Sequence, residues 1–206
     1  AIISLVLLVS CKKNTESVDV CIYGGTSAGV IAAYTASMEG KTVLLVEPGR
    51  HLGGMTSGGL GYTDIGNKFV VTGLTRDFYR RIGSHYGKFE QWIFEPSVAE
   101  KIFRQYIECA GVEVLYSHRL CDVKKDSCHI TEIVVENSDS PSTITNRRIE
   151  AKMFIDCSYE GDLLARAGAA YTVGREDNSV YGETYNGVQV MRGHQFWDPI
   201  DPYVVP

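Results

Sequence analysis

The fold is decided by residues 18–61, VDVCIYGGTSAGVIAAYTASMEGKTVLLVEPGRHLGGMTSGGLG, in which apolar runs alternate with glycine-rich segments. Residues 20–23 are too few and too apolar for a surface helix, and Gly24 and Gly25 follow them directly. Short continuous apolar runs are typical of strands that are buried on both faces of a parallel sheet. The first run therefore predicts a buried strand that ends in a tight turn.

A helix and a second strand are predicted immediately after this turn. Residues 27–38 are rich in alanine, whose small side chain lets a helix lie close to a sheet, and Gly40 ends the pattern. Residues 42–46 are β-branched and apolar, as expected of a buried strand. The predicted order is strand, helix, strand, with Glu47 at the carboxyl end of the second strand.

The turn between the first strand and the helix has features of a dinucleotide site. A helix N-terminus offers unpaired N–H groups and partial positive charge to a pyrophosphate, and Gly24 and Gly29 leave it room. Glu47 stands 23 residues after Gly24, near the spacing at which a carboxylate reaches a ribose. Thr26 replaces the second glycine of the usual pattern. An ordinary tight turn between a strand and a helix is the alternative.

A glycine-rich loop, residues 48–66, follows Glu47 and contains seven glycines. Such a segment cannot build a core, so it is either flexible or laid against something flat or charged. Its place beside the turn favours the second interpretation. Arg50 is a candidate partner for phosphate, whereas His51 is expected to be a surface residue.

Later segments add two helices and a change of strand pattern. Helices are predicted over residues 72–83 and 96–110, and a short parallel strand over residues 112–116. Alternating patterns and one further buried run then predict strands over residues 120–123, 130–136, 143–149 and 151–156. We therefore expect a β-meander inserted between the parallel strands. Core packing is favoured over a pocket lining for the aromatic residues near the helices, which are Phe78, Tyr79, Tyr86, Phe89, Trp92 and Phe94.

Composition limits the classes of function. The 206 residues are 44% hydrophobic and 22% charged, as in an ordinary soluble globular protein. The net charge of −5 with scattered lysine and arginine argues against a nucleic-acid partner, because phosphates attract a basic stripe. The cysteines and histidines lack the spacing of a zinc site, so no metal is predicted. Cys21 and Cys157 are expected in the core, and a bridge between Cys121 and Cys128 is left open.

The extreme N-terminus is typical of an exported bacterial lipoprotein. Residues 1–9 are apolar but too few to span a bilayer, and they resemble the hydrophobic region of a signal peptide. Residues 8–11 resemble a lipobox, which predicts a lipid-modified Cys11, a polar tether over residues 12–17 and anchoring to a membrane of the cell envelope. A short buried strand or helix is the alternative. Because no initiator Met or basic segment is present, we expect the chain to begin inside its reading frame.

Three segments together resemble the FAD-dependent oxidoreductase family, whose FAD domain is of the glutathione-reductase type. They are IYGGTSAG with LLVE, LGGMTSGG, and FIDCSYEGDLLARAG, which is similar to the family's IDATGxGDLA segment. The match covers most of residues 18–177. The resemblance implies an α/β, Rossmann-like FAD/NAD(P)-binding fold with a parallel sheet and an inserted antiparallel β-meander, and FAD as the cofactor.

The resemblance also implies which residues bind the cofactor. The turn and the helix start would face the pyrophosphate, the acid would meet the adenosine ribose, the loop would meet the phosphate and ribityl side, one backbone group would hold adenine, and the last segment would close the pocket. The turn and helix start comprise Gly24, Gly25, Thr26, Ala28 and Gly29. The acid is Glu47, which Pro48 and Arg50 follow, and the loop residues are Gly53, Gly54, Met55 and Ser57. Val123 supplies the backbone group for adenine, and the last segment contributes Asp156, Gly161 and Asp162. The departures from the family pattern are Thr26 and residues 157–159.

The implied organisation has a signal and tether over residues 1–17, an FAD-binding domain over residues 18–168 and the start of a substrate domain over residues 169–206. Family members are longer, so we expect an N-terminal fragment that is inactive alone. The implied reaction is hydride transfer to FAD from a small organic substrate, carbohydrate-related in some relatives. No residue is assigned as the catalytic base. An NAD(P)-dependent dehydrogenase and a non-enzymatic lipoprotein scaffold are the alternatives.

Overall fold

The computed structural model describes residues 15–184, and the chain divides into two units after Ala169. The described strands are β1 (Thr15–Tyr23), β2 (Val43–Val46), β3 (Glu113–Leu115), β4 (His118–Asp126), β5 (His129–Asn137) and β6 (Arg147–Asp156). The helices of the same unit are α1 (Ser27–Met38), α2 (Gly73–His85), α3 (Pro96–Ala110) and α4 (Asp162–Arg166), with 3₁₀ turns at Gly54–Thr56 and Lys68–Val70. The second unit contains α5 (Asn178–Tyr181).

All six described strands form one sheet in the order β3-β2-β1-β6-β5-β4. The first four strands in this order are parallel, whereas β5 is antiparallel to both β6 and β4. β6 therefore belongs to both parts of the sheet: it pairs with β1 in the parallel part and with β5 in the β-meander. This arrangement confirms the predicted fold class.

β6 corrects the prediction of two strands over residues 143–149 and 151–156. The structure has one continuous strand, which pairs with β5 through its first residues and with β1 from Arg148 to Asp156. Residues 143–146 lie outside it, in the turn that follows β5. The pattern of polar and apolar residues changes along β6, because residues 147–150 pair with β5 whereas the later residues pair only with β1.

β1 is longer than its apolar run indicates, because it begins at Thr15. Residues 15–17 of the predicted tether are therefore part of the sheet, level with residues 148–150 of β6. Their polar side chains are satisfied locally, since Glu16 forms an ion pair with Arg147. The predicted signal segment and Cys11 lie outside the described residues. Within residues 15–184, no helix is both long enough and apolar enough to cross a membrane.

Side chains that alternate along β1 and β2 divide the interior into two cores. Ile22 and Leu45 face the helices and pack with buried side chains of α1, α2 and α3. Their neighbours in the strands face the meander and join a second core, made by Cys21, Tyr23, Leu44, Val46, Leu115, Leu120, Ile133, Val135, Ile149 and Leu163. Residues 20–23 of β1 and 43–46 of β2 are continuously apolar because both faces of the sheet are covered there.

The predicted helices α1 and α3 have the bounds that the sequence indicated, and α2 is shifted by one to two residues. α3 buries the predicted periodic face, which consists of Val98, Ile102, Phe103, Tyr106 and Ile107. Phe78 and Phe94 lie in the core as expected. Phe89 does not, because its ring is 76% exposed and lies under the guanidinium of Arg80.

The five cysteines in the described part of the chain are free thiols. The bridge between Cys121 and Cys128, which the sequence left open, is therefore absent. Cys21 is fully buried in the second core, as predicted, and burial raises the pKa of its thiol to about 12. Cys109 and Cys128 are exposed.

We expect thiol reagents to separate these groups in the native protein. Cys109 and Cys128 should react within seconds to minutes at pH 8. Cys21 should react only when the protein unfolds, because its thiol is buried and its thiolate form is not populated in the native protein. Mass spectrometry of the alkylated peptides gives the order of labelling. Cys128→Ser is the matched control and should remove one fast site. Labelling of Cys21 at the rate of Cys109 would contradict the burial described here.

Candidate functional site

The parallel pairing of β1 with β6 brings two turns together. Tyr23 lies opposite Asp156 at the carboxyl ends of the strands, and the Cys157 N–H donates to the Tyr23 carbonyl at 2.7 Å. The glycine turn, residues 24–26, and the β6–α4 turn, residues 157–161, therefore leave the sheet side by side. In sheets of this kind, ligands bind at the carboxyl ends of the strands.

Two glycines of the motif occupy places where no other residue fits. Gly24 has a φ of +99°, and a Cβ there would lie 2.8 Å from the carbonyl carbon of Cys157. A Cβ on Gly29 would overlap the carbonyl oxygen of Gly24, so α1 starts in direct backbone contact with the turn. Glycine is therefore required at both positions by the close packing of protein backbone.

Thr26 links the glycine turn to the β6–α4 turn. Its hydroxyl donates to the Cys157 carbonyl at 2.9 Å and accepts the Gly29 N–H at 3.3 Å, which caps α1. The side chain is 8% exposed. The hydroxyl that replaces the usual glycine is thus engaged within the protein.

The start of α1 provides a place for an anion. No acidic residue lies in its first turn, and the exposed Ala28 has an N–H that meets no protein acceptor among the described contacts. A helix N-terminus carries partial positive charge. An N–H without a protein acceptor and the absence of a competing carboxylate fit the pyrophosphate of a dinucleotide.

Glu47 holds two loops with its carboxylate. One oxygen accepts the Gly25 N–H at 2.7 Å and the other accepts the Gly49 N–H at 2.6 Å, across Pro48. Each carboxylate oxygen has two lone-pair directions, so each retains one for a hydroxyl of a ribose. The structure therefore leaves the predicted ribose contact open while it gives Glu47 a second, structural role.

The glycine-rich loop lies against the glycine turn. The Gly53 N–H donates to the Gly25 carbonyl at 2.8 Å, and Gly53 has a φ of +103° with the Phe103 ring where a Cβ would be. The hydroxyl of Ser57 donates to the Leu52 carbonyl and fixes the 3₁₀ turn that contains Met55. The loop is therefore ordered by contacts to the protein.

Tyr159 is a site residue that the motif did not identify. Its hydroxyl accepts the Met55 N–H at 2.7 Å, and it occupies the place that a Cβ on Gly54 would need. The β6–α4 turn thus touches both the glycine turn, through Cys157, and the glycine-rich loop, through Tyr159. The only sequence signal was the departure of residues 157–159 from the family pattern.

Asp156 stabilises the β6–α4 turn from within. Its carboxylate accepts the N–H and hydroxyl of Ser158 and, through the other oxygen, the Leu164 N–H at 2.9 Å. Gly161 precedes α4 with a φ of +70°, and the exposed Asp162 follows it. These three predicted residues therefore lie together at the edge of the site, with Asp156 already satisfied by the protein.

Two further predicted contact residues, Arg50 and Val123, have partners within the protein. Arg50 forms an ion pair with Asp139 at 2.8 Å on the surface. Val123 belongs to β4, packs against the second core, and its N–H donates to the Asp122 carboxylate. His51 is exposed, as expected, and contacts Glu100 at 3.0 Å.

Burial disfavours the charged forms of Tyr23 and Cys157, which lie under the turn. Burial raises the pKa of Tyr23, the Leu120 N–H opposes that rise, and the carboxylates of Asp162, Glu47 and Asp156 add to it. Burial also raises the pKa of the Cys157 thiol, and Asp156 adds to that shift. Neither group is an activated nucleophile at neutral pH.

A cavity of about 300 Å³ adjoins the start of α1. Its walls come from α1, from the 3₁₀ turn of the glycine-rich loop, from α2 and from Phe103 of α3. Two segments, the helix start and the loop, thus line both the cavity and the predicted phosphate region. Phe78 and Tyr79 form part of its wall, so these two aromatic residues line a pocket, which was the alternative to core packing. Phe78 does both, because it is also a member of the core.

Replacement of Thr26 tests the link between the turns. Thr26→Ala removes the cap of α1 and the bond to Cys157, and we expect it to lower the free energy of unfolding by about 1–2 kcal/mol. Thr26→Ser keeps the hydroxyl and should cost about 0.5 kcal/mol or less. Urea unfolding followed by circular dichroism measures both. Equal stability of the two variants would show that the hydroxyl is not engaged as described.

Replacement of Gly29 tests the close contact at the helix start. Alanine is favoured over glycine inside helices by about 1 kcal/mol, so an uncrowded site would gain stability. Because the new methyl would overlap the Gly24 carbonyl, we expect Gly29→Ala instead to cost about 1–3 kcal/mol. Gly66→Ala is the control, since nothing lies within 4 Å of its added Cβ. Thermal unfolding of both variants decides, and a stabilised Gly29→Ala would refute the contact.

Comparisons with solved structures show that the fold is shared with other proteins. L-proline dehydrogenase from P. horikoshii is similar, with a TM-score of 0.57 at 13% identity over 79% of this chain and 59% of that chain. A flavoprotein/dehydrogenase from Cytophaga hutchinsonii has a TM-score of 0.57 at 19% identity over 78% of this chain and 44% of that one. A flavin-dependent brominase has a TM-score of 0.55 at 18% identity, and the corresponding shares are 78% and 42%.

These likenesses show the fold, and this chain spans less than half of the brominase and of the Cytophaga protein. No curated protein sequence matches the chain significantly. The family model described as FAD dependent oxidoreductase matches residues 19–204, which is most of the sequence. The cofactor of this family is FAD, and the residues at the carboxyl ends of β1, β2 and β6 fit it. The chain belongs to the FAD-dependent oxidoreductase family.

Proposed function

We propose that the protein oxidises a small organic substrate by hydride transfer to FAD. The observation that supports this most directly is the convergence of three segments at the carboxyl ends of the strands: the glycine turn, the glycine-rich loop and the β6–α4 turn are joined by Thr26, Gly53 and Tyr159. A helix N-terminus at this edge of a parallel sheet suits a cofactor with a charged centre. When bound, FAD takes up the hydride from a reduced carbon of the substrate.

The protein residues bind and orient the cofactor in this proposal. The start of α1, with the Ala28 N–H, faces the pyrophosphate, and the free lone pairs of Glu47 accept the ribose hydroxyls. Gly53, Gly54 and Met55 form the wall along the phosphate and ribityl part. Val123 remains a prediction for the contact with adenine. Tyr23 does not serve as a base in this proposal, because burial raises its pKa.

We also propose that the protein is exported and anchored by lipid on Cys11. The support is the sequence pattern of residues 1–11 and the polar residues that follow before β1. An envelope enzyme of this kind meets substrates outside the cytoplasm.

The visible absorption spectrum of the purified full-length protein tests the cofactor. We expect the two bands of oxidised flavin, bleached by dithionite. We further expect Glu47→Gln to weaken FAD binding about 10- to 100-fold, because hydrogen bonds to a charged acceptor are worth about 1.5–3 kcal/mol. Titration of the apoprotein with FAD, followed by flavin fluorescence, gives the dissociation constant.

Glu39→Gln is the control, because Glu39 is an exposed acid at the far end of α1. It should bind FAD as the unmodified protein does. A colourless protein that binds NAD would instead indicate the nicotinamide-dependent alternative. A protein that binds neither cofactor would favour a scaffold without redox activity.

A further inference from the structure

The cavity beside α1 has a composition that selects a particular class of molecule. We propose that it is the substrate site of the enzyme and takes a neutral, mainly apolar organic molecule with a flat ring. This inference rests on the proposed function and adds a substrate class to it. At about 300 Å³, the cavity is at the lower end of the range for small-molecule sites.

Its position is the first argument. Ser27 and Ala28 are the first residues of α1, and Thr56 ends the 3₁₀ turn that follows Gly53. A molecule in the cavity therefore shares two wall segments with the region assigned to the phosphate and ribityl part of the cofactor. Hydride transfer requires the reacting carbon to lie in contact with the acceptor. The cavity lies beside the region assigned to the cofactor, as a substrate site must.

The walls of the cavity are apolar and aromatic. Phe78 and Phe103 are buried and stacked with their ring centroids 4.7 Å apart, and Tyr79 packs edge-on against Phe78 at 5.4 Å. Aliphatic side chains complete the wall, namely Ala28, Ile31 and Leu74. Aromatic walls attract a flat apolar ring through dispersion and edge-to-face contacts.

The polar groups of the lining are few and uncharged. Among the described residues that line the cavity, the side-chain polar groups are the hydroxyls of Ser27, Thr56, Thr75 and Tyr79. None of the lining side chains is acidic, basic or an amide. A charged substrate would lose hydration here without gaining an ion pair, which costs several kcal/mol. The site therefore favours a neutral molecule with one or two polar groups.

The same lining disfavours a carbohydrate, the substrate class suggested by some relatives. A sugar carries a hydroxyl on nearly every carbon, and each hydroxyl buried without a partner costs about 1–3 kcal/mol. Four hydroxyls on three separate elements, facing five apolar side chains, cannot pair them all. The structure thus narrows the earlier expectation toward an aromatic or similarly flat apolar substrate.

Binding of 2-naphthol to the FAD-loaded full-length protein tests the proposal. 2-Naphthoate is the charged counterpart and methyl glucoside the carbohydrate counterpart. We expect saturable binding of 2-naphthol, at least tenfold tighter than either, by saturation-transfer NMR and by perturbation of the flavin spectrum. Equal or tighter binding of naphthoate or methyl glucoside would overturn the substrate class.

Thr75→Trp should fill the mouth of the cavity, because Thr75 is an exposed residue of α2 that lines it. We expect at least a tenfold loss of 2-naphthol affinity with unchanged FAD content. Ser84→Trp is the matched control on the opposite side of α2, is exposed and lies outside the cavity lining. It should change the affinity less than twofold. If Thr75→Trp does not fold, Ile31→Phe narrows the same space from α1.

Further outcomes separate this proposal from the proposed function. If FAD is retained but 2-naphthol does not bind, or binds equally to Thr75→Trp and Ile31→Phe, the substrate site is wrong and the cofactor assignment stands. If FAD expels 2-naphthol from the apoprotein, the cavity belongs to the flavin and the proposal is overturned. If the protein retains no FAD, the proposed function fails and the substrate assignment fails with it.

Discussion

The parallel pairing of β1 with β6 is the constraint on which the site depends. Its register ends both strands at the same level, with Tyr23 opposite Asp156, so the chain must turn twice in the same small volume. At Gly24 no side chain fits between these turns, and at Thr26 a hydroxyl bridges them. The shape of the cofactor cleft is therefore a consequence of strand register before it is a consequence of any single motif residue.

Elements defined by local signals were predictable from the sequence. The bounds of α1 follow from its small residues and from Gly40, and those of α3 follow from its periodicity, Pro96 and Gly111; both were confirmed. The start of β1 was not predictable in this way, because Thr15 and Glu16 are polar and are held in the sheet by residues of β6 about 130 positions later. The continuity of β6 was missed for the same reason, since only the assembled sheet shows that one strand serves two neighbours.

The residues of the candidate site also fall into two groups, those identified by local sequence signals and those that depend on contacts between distant segments. The glycine turn, Glu47 and the glycine-rich loop were identified from spacing, because their chemistry depends on backbone freedom and on position after a strand. The bond from Thr26 to the Cys157 carbonyl spans 131 residues, and the contact of Tyr159 with Met55 spans 104. Such pairings depend on three-dimensional register, so a single sequence showed them only as unexplained departures from a pattern.

The double role of β6 also determines where this domain can change length over evolution. An insertion of one residue within β6 would reverse the faces of its side chains against β1 and β5 together and would carry Cys157 away from Tyr23. The connection over residues 138–146 is largely exposed and lies outside both pairings, so extra residues there leave the register intact. We therefore expect relatives to differ in the length of this connection. The ten residues of β6 should keep a constant length, because they set the distance between the meander and the cofactor site.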